Sequence, residues 1–156
     1  MHTVAKCGES HRVPVLHTTG LRDGAADPSG AWVSSKHHAR IVSGPAVFVP
    51  RVGRPDQRKI AVARSGRFVL SDCVFGMPCD SGAQAEALGA WLRAHFSELA
   101  AMYGGTGAPY LRRDKLVQLL GQCGLRRKAH AVAYECPVVP NPPLLSRRGT
   151  NGIQLA

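Results

Sequence analysis

Apolar residues recur at helical spacing in the middle of the chain. Five of them follow one another at intervals of three and four residues: Leu88, Leu92, Phe96, Leu99 and Tyr103. Such spacing places the five side chains on one face of a helix. Ser81, with Gln84 three residues later, makes a capping-box pattern before this stretch, and glycines at 104 and 105 follow it. The pattern predicts one long helix over residues 81–103.

Shorter apolar runs, separated by glycine and proline, precede this helix and are typical of strands. The run at residues 46–49 is followed by a second run at 59–63, and the turn-forming residues 53–56 lie between them. These two runs predict a hairpin with a basic loop. A third strand is predicted over residues 68–75, and the turn-rich stretch before Trp32 predicts one or two further strands.

Strands followed by helices, without regular alternation of the two, predict an α+β fold. We expect a single domain in which one curved mixed β-sheet packs on the long helix, with a short second helix over residues 113–120. The domain covers residues 1–123 in this prediction. Residues 124–156 form a basic and then proline-rich extension, and we expect the end of this extension to be mobile.

The composition supports a folded domain rather than a basic tail. The chain has 156 residues, of which 44% are hydrophobic and 19% are charged, so it can bury a core of its own. It contains no apolar run long enough to span a membrane, and its first thirty residues hold three acids and no export-signal pattern. We therefore expect a cytoplasmic protein without a membrane partner.

The net charge of +10 is distributed unevenly along the chain. Residues 36–67 contain eight Lys or Arg and one acid, residues 112–128 contain six and one acid, and the stretch between them is mildly acidic. Arginine outnumbers lysine by fifteen to five, which suits bidentate contacts to phosphate and to guanine. The pattern favours a nucleic-acid partner, and a merely solvated basic surface is the alternative.

The sequence offers no arrangement typical of a hydrolytic or metal centre. The five cysteines include no Cys-x-x-Cys pair and the ten acids are scattered, so neither a zinc site nor a pair of catalytic carboxylates is predicted. The glycine-rich residues 104–110 lack the Gly-Lys-Ser/Thr ending of a nucleotide-binding loop. As a surface loop before a basic helix, they are suited instead to hold a nucleic-acid backbone. We therefore expect a binding protein rather than an enzyme.

Three stretches, in this order along the chain, resemble target recognition domains of DNA-modifying systems. They are residues 44–55 (GPAVFVPRVGRP), residues 70–75 (LSDCVF), and residues 105–111 (GTGAPYL) with residues 113–116 (RDKL). Domains of this family form the C-terminal part of certain amino-adenine methyltransferases and the repeated units of type I restriction specificity subunits. In them a basic hairpin, a Ser-Asp strand and a long helix with a glycine-rich loop follow one another. The resemblance covers residues 12–121.

The resemblance implies a sequence-specific DNA recognition subunit or domain of a DNA adenine methyltransferase, of the restriction-modification type, that is not catalytic alone. Its partners would be double-stranded DNA and a methyltransferase catalytic subunit. S-adenosylmethionine would bind to that subunit, and this chain would hold no cofactor and no metal. Base flipping and methyl transfer would belong to the partner. Whether the chain is a separate subunit or a piece whose catalytic half lies elsewhere stays open.

The resemblance and the charge pattern together assign the DNA contacts to ten residues. Four of them lie on the predicted hairpin and would enter a groove: Arg51, Arg54, Arg58 and Lys59. Six others would hold phosphates: Lys36, His37, His38, Arg112, Arg113 and Lys115. These ten residues are the candidate site.

Two other hypotheses compete with this one. A general RNA- or DNA-binding protein without sequence preference explains the charge but not the ordered motifs. An enzyme fragment would use residues 141–144, which resemble the Asn-Pro-Pro-aromatic motif of adenine methyltransferases. Leu144 stands where that motif has its aromatic residue, so a chance match in a proline-rich stretch is the simpler explanation.

Overall fold

The computed structural model describes residues 12–28, 30–34 and 41–124. Nine strands and three α-helices follow one another within these ranges: β1 (Arg12–Leu16), β2 (Leu21–Arg22), β3 (Ala25–Ala26), β4 (Trp32–Ser34), β5 (Ile41–Ser43), β6 (Ala46–Pro50), β7 (Ala61–Ala63), β8 (Arg67–Leu70), β9 (Val74–Pro78), α1 (Gly82–Ala94), α2 (Phe96–Ala101) and α3 (Arg113–Gly121). The fold is a mixed α+β domain, as the order of patterns predicts. The described residues before residue 35 form four short strands rather than the one or two predicted.

The strands form two sheets, and the single curved sheet predicted from the sequence is wrong in this respect. One sheet has four strands in the order β4-β1-β8-β5, and the other has five in the order β2-β3-β7-β6-β9. The pairs β1–β8 and β3–β7 are parallel, and the remaining pairs are antiparallel. The predicted hairpin is confirmed, because β6 pairs with β7 in antiparallel register from Ala46 opposite Ala63 to Phe48 opposite Ala61.

The five-stranded sheet lies between the four-stranded sheet and the helices. Alternate side chains of β6 show this arrangement: Ala46 and Phe48 belong to the cluster between the sheets, whereas Val47 and Val49 belong to the cluster beneath the helices. All five residues of β6 are buried. The strand is an unbroken apolar run because it contributes to a core on both faces.

The predicted third strand is two strands that belong to different sheets. β8 pairs with β1 and β5, whereas β9 pairs with β6. The polar residues between β8 and β9 make a turn, in which the Val74 amide donates to the Ser71 carbonyl at 3.2 Å. An apolar run gives no sign of such a transfer between sheets, because the side chains on both sides of the turn are buried.

The predicted long helix is divided at His95 into α1 and α2. Its amino end is as predicted, since the Ser81 hydroxyl accepts a hydrogen bond from the Gln84 amide at 3.1 Å. At the division, His95 Nδ1 lies 2.9 Å from the Trp91 carbonyl oxygen, and the two rings stack with centroids 4.1 Å apart. The break leaves the apolar face continuous, because Leu92 and Leu99 on either side are both buried. The predicted short helix is confirmed as α3.

Candidate nucleic-acid interface

Two basic segments that are far apart in the sequence are joined here by their backbones. The Gly53 amide donates to the Pro109 carbonyl at 2.8 Å, and the Leu111 amide donates to the Arg51 carbonyl at 2.7 Å. Val52 and Tyr110 form an antiparallel bridge between these two hydrogen bonds. The loop after β6 therefore runs beside the residues that lead into α3. The two segments predicted to contact DNA form one surface, which we call the joined basic surface. Its basic residues are Arg51, Arg54, Arg58, Lys59, Arg112, Arg113 and Lys115.

A glycine-rich loop over residues 104–110 borders this surface. Gly104 and Tyr110 close the loop by two backbone hydrogen bonds, of 3.1 and 2.9 Å. Gly105 has φ +121, and a Cβ added there would lie 2.7 Å from Cε1 of the Tyr110 ring. The ring packs directly on this glycine and remains 43% exposed. The loop thus presents an aromatic side chain and exposed backbone next to arginines, a combination typical of nucleic-acid binding.

Tyr103 fixes the point at which β6 passes into the basic loop. Its hydroxyl donates a hydrogen bond to the Pro50 carbonyl, one residue before Arg51. Burial raises the pKa of the Tyr103 phenol above its ordinary value, because the charged phenolate would lose its hydration. The neutral hydroxyl is therefore the form that holds the end of α2 against the end of β6.

Arg51 and Arg54 occupy different environments although they lie three residues apart. The Arg51 guanidinium lies 5.7 Å from the centroid of the Phe75 ring and donates to the Asp72 carbonyl at 3.3 Å. Its position is already set by the protein. Arg54 follows Gly53, whose φ of +105 turns the chain outward, and its exposed guanidinium has no partner among the described residues. Of the two, Arg54 is placed to meet a ligand.

Arg58 and Lys59 lie at the far end of the same loop, in a short 3-10 helix over Gln57–Lys59. Asp56 caps this helix, accepting from the Arg58 amide at 3.0 Å, and also pairs with the Arg58 guanidinium at 3.3 Å. These hydrogen bonds lower the pKa of the Asp56 carboxyl. Arg54, Arg58 and Lys59 line one surface depression together with Phe96. Three of the predicted hairpin cations therefore share a concave site.

Three exposed cations occupy the first turn of α3 and the residue before it: Arg112, Arg113 and Lys115. The amino end of a helix carries a positive partial charge, so cations there oppose the helix dipole. Asp114 is the acid of this turn, and its two oxygens each lie 3.0 Å from a nitrogen of Arg112. This concentration of positive charge lowers the stability of α3, but it is suited to hold an anion such as a phosphate.

The remaining predicted residues, Lys36, His37 and His38, lie outside the described residues, as do residues 141–144. The sequence pattern places Tyr103 only on an apolar helix face, and Asp56 and Asp114 are not among the residues predicted for the site. Spacing is the signal that identifies the two acids, since each lies two residues from an arginine. Within the described ranges, no three His, Cys, Asp or Glu side chains are placed to hold a metal ion. No helix of the described part is long and apolar enough to cross a membrane.

Comparison with known proteins adds nothing to this geometry: no protein-family model, no curated protein and no solved structure matches the chain.

The buried Tyr103 phenol predicts a specific loss of stability at high pH. Its pKa is raised in the folded protein above the ordinary 10.0 of the unfolded chain. The unfolded state alone ionises as the pH passes 10, so the stabilisation is complete below that pH and is lost above it. The free energy of unfolding of the wild type should then fall more steeply than that of Tyr103→Phe, by up to about 1.4 kcal/mol per pH unit.

Urea unfolding of both proteins at a series of pH values from roughly 8 to 11 gives the free energy of unfolding as a function of pH. The slope of this free energy reports how many more protons one state binds than the other. Other groups that titrate in this range are common to both proteins and cancel in the comparison. Parallel curves for the wild type and Tyr103→Phe would contradict the burial of the hydroxyl.

Proposed function

We propose that this protein is a sequence-specific DNA recognition subunit or domain of a DNA adenine methyltransferase, of the restriction-modification type. The observation that carries the proposal is the backbone pairing of residues 51–53 with residues 109–111. It makes one cationic surface from two distant segments, and the same segments carry the sequence resemblance to target recognition domains. Solubility alone needs no such pairing, because scattered surface charges serve it equally well.

The residues of the joined basic surface have different roles in this proposal. Arg54 is the base-reading candidate, because it is exposed on a turn and can form a bidentate contact with guanine. Arg51 acts as a positioning residue, since it is already held by Phe75 and Asp72. The cations at the start of α3 hold phosphates, which fixes the register of the protein on the duplex without conveying sequence.

Methyl transfer is assigned to a separate catalytic subunit that binds S-adenosylmethionine and extrudes the target adenine from the duplex. We expect the purified chain to transfer no labelled methyl group to DNA, and transfer to require that subunit. We expect the protein in the cytoplasm, where such a complex meets DNA in a cell without a nucleus.

Selection from a pool of random DNA duplexes tests the proposal directly. The purified chain should enrich one short sequence, and the enriched duplex should be bound more tightly than random duplexes of equal length. Binding without enrichment of any sequence would overturn the proposal and favour a general RNA- or DNA-binding protein. Enrichment of single-stranded RNA over duplex DNA in a mixed pool would have the same consequence.

Arg54→Gln should weaken binding to the selected duplex by roughly 10- to 100-fold, as expected for the loss of one bidentate base contact. Binding to random duplexes should weaken far less, because only one of several cations is removed. Arg67→Gln is the matched control, since Arg67 is an exposed arginine at the start of β8, outside the joined basic surface. Equal losses on selected and random duplexes would make Arg54 a phosphate contact only.

A further inference from the structure

Two arginines of the joined basic surface are held by carboxylates two residues away. Asp114 receives Arg112 through both oxygens, at 3.0 Å each. Asp56 receives the guanidinium of Arg58 through both of its oxygens, at 3.3 Å each. In both pairs two nitrogens of one guanidinium face two oxygens of one anion. This is the geometry in which arginine binds a phosphate or the edge of a guanine.

These pairs cost the protein part of its attraction for DNA. Each carboxylate repels phosphate and occupies the donors that a phosphate would use. The arginines of both pairs are exposed, with 77% of the Arg58 and 62% of the Arg112 side chain accessible, so the ion pairs themselves contribute little to the stability of the fold. Asp56 also caps the 3-10 helix, and that cap is its contribution to the fold. The ion pairs themselves weaken DNA binding and add little stability, so they call for a functional reason.

We propose that Asp56 and Asp114 are specificity-determining residues. Their carboxylates keep Arg58 and Arg112 paired until a DNA duplex of the correct sequence displaces the carboxylates. The inference rests on the proposed DNA-binding function. On random DNA, phosphate contacts alone compete with the carboxylates, and the arginines stay largely paired. On the cognate duplex, the base contacts of Arg54 hold the DNA against the surface, and the arginines exchange the carboxylate for a phosphate or base edge of the same geometry. The two acids thus suppress binding to the wrong sequence.

A third ion pair has a similar exposed arginine but lies away from the joined basic surface, so it serves as a control for the other two. Arg64 and Glu86 are joined by a single contact of 3.0 Å, and the Arg64 side chain is 78% exposed, so this pair is as accessible as the other two although it is not bidentate. Arg64 follows the carboxyl end of β7, whereas the joined basic surface begins at the carboxyl end of the antiparallel β6. The Arg64–Glu86 pair therefore lies at the opposite end of the hairpin. Removing its acid changes the net charge equally without releasing a cation onto the surface.

The experiment compares Asp56→Asn, Asp114→Asn and Glu86→Gln on random duplex DNA in about 0.1 M salt. Asparagine at 56 keeps an oxygen that can cap the 3-10 helix, so the loop should keep its conformation. Each of the first two variants should bind random duplex about 3- to 10-fold more tightly, with a salt slope steeper by up to about 1, as expected for one additional phosphate contact. Glu86→Gln should change the affinity by less than about twofold, since its charge lies at the opposite end of the hairpin and salt weakens the interaction of exposed charges with distance, over about 10 Å at 0.1 M.

Affinity for the selected duplex should rise less than affinity for random DNA in both Asp variants, so the ratio of the two affinities falls. Equal behaviour of all three variants on random duplex would overturn the inference, because it would show a net-charge effect only. Weaker binding by Asp56→Asn or Asp114→Asn would overturn it as well. These outcomes are separable from failure of the proposed function, which is seen in the wild type as binding without enrichment of any sequence.

Discussion

Replacing Arg112, Arg113 and Lys115 by Gln is expected to reduce affinity for the selected duplex by roughly 10²- to 10³-fold in 0.1 M salt. Each cation that neutralises a phosphate releases a counterion, so the logarithm of the affinity falls linearly with the logarithm of the salt concentration. About five to seven phosphate contacts give the wild type a slope of about −4 to −6, and the triple variant should flatten it by up to about 3. The slope is measured by titrating duplex at several salt concentrations.

The selected DNA sequence should be unchanged in this triple variant, because phosphate contacts carry no base information. A variant with Arg12, Arg64 and Arg67 replaced by Gln is the matched control, since it loses the same charge from exposed residues outside the joined basic surface. We expect its slope to remain close to that of the wild type. A changed target sequence with an unchanged slope would reverse the roles assigned to the two basic segments.

Gly53→Pro is expected to weaken the sequence preference strongly, lowering the ratio of specific to random affinity, usually about 10³ to 10⁷, by about 100-fold or more. Proline lacks the amide that donates to the Pro109 carbonyl, and its ring fixes φ near −65°, whereas Gly53 has φ +105. The two basic segments would then no longer be held in register. Affinity for random duplex should fall far less, because every cation is still present.

Gly53→Ala separates the hydrogen bond from the backbone conformation. Alanine keeps the amide and has open space for its Cβ, since nothing lies within 4 Å of that position. Its cost is the left-handed backbone, of order 1 to 2 kcal/mol. We expect sequence preference in Gly53→Ala to lie between that of the wild type and that of Gly53→Pro. Circular dichroism and urea unfolding verify that each variant is folded, and full sequence preference in folded Gly53→Pro would contradict the role of the pairing.

Local patterns in the sequence identified those elements whose stability comes from neighbouring residues. The Ser81 cap, the hairpin of β6 and β7 and the short helix α3 all depend on spacings of a few residues, and each forms where it is predicted. The division at His95 could not be predicted in this way, because the apolar spacing continues across it. Neither could the transfer of the chain from β8 to β9, since residues on both sides of the turn are equally apolar.

The sequence by itself determined which residues are available for binding: a strongly basic chain, two cationic segments, and a glycine-rich loop before a basic helix. Only the tertiary structure decided that residues 51–53 and 109–111 pair, that Arg51 is held by Phe75 while Arg54 is exposed, and that Tyr103 anchors Pro50. The physical reason is that these contacts join residues about fifty or more positions apart, or twenty-four in the case of Arg51 and Phe75. Backbone hydrogen bonds between such segments depend on where the sheet and helices place them, and side-chain type does not encode that placement.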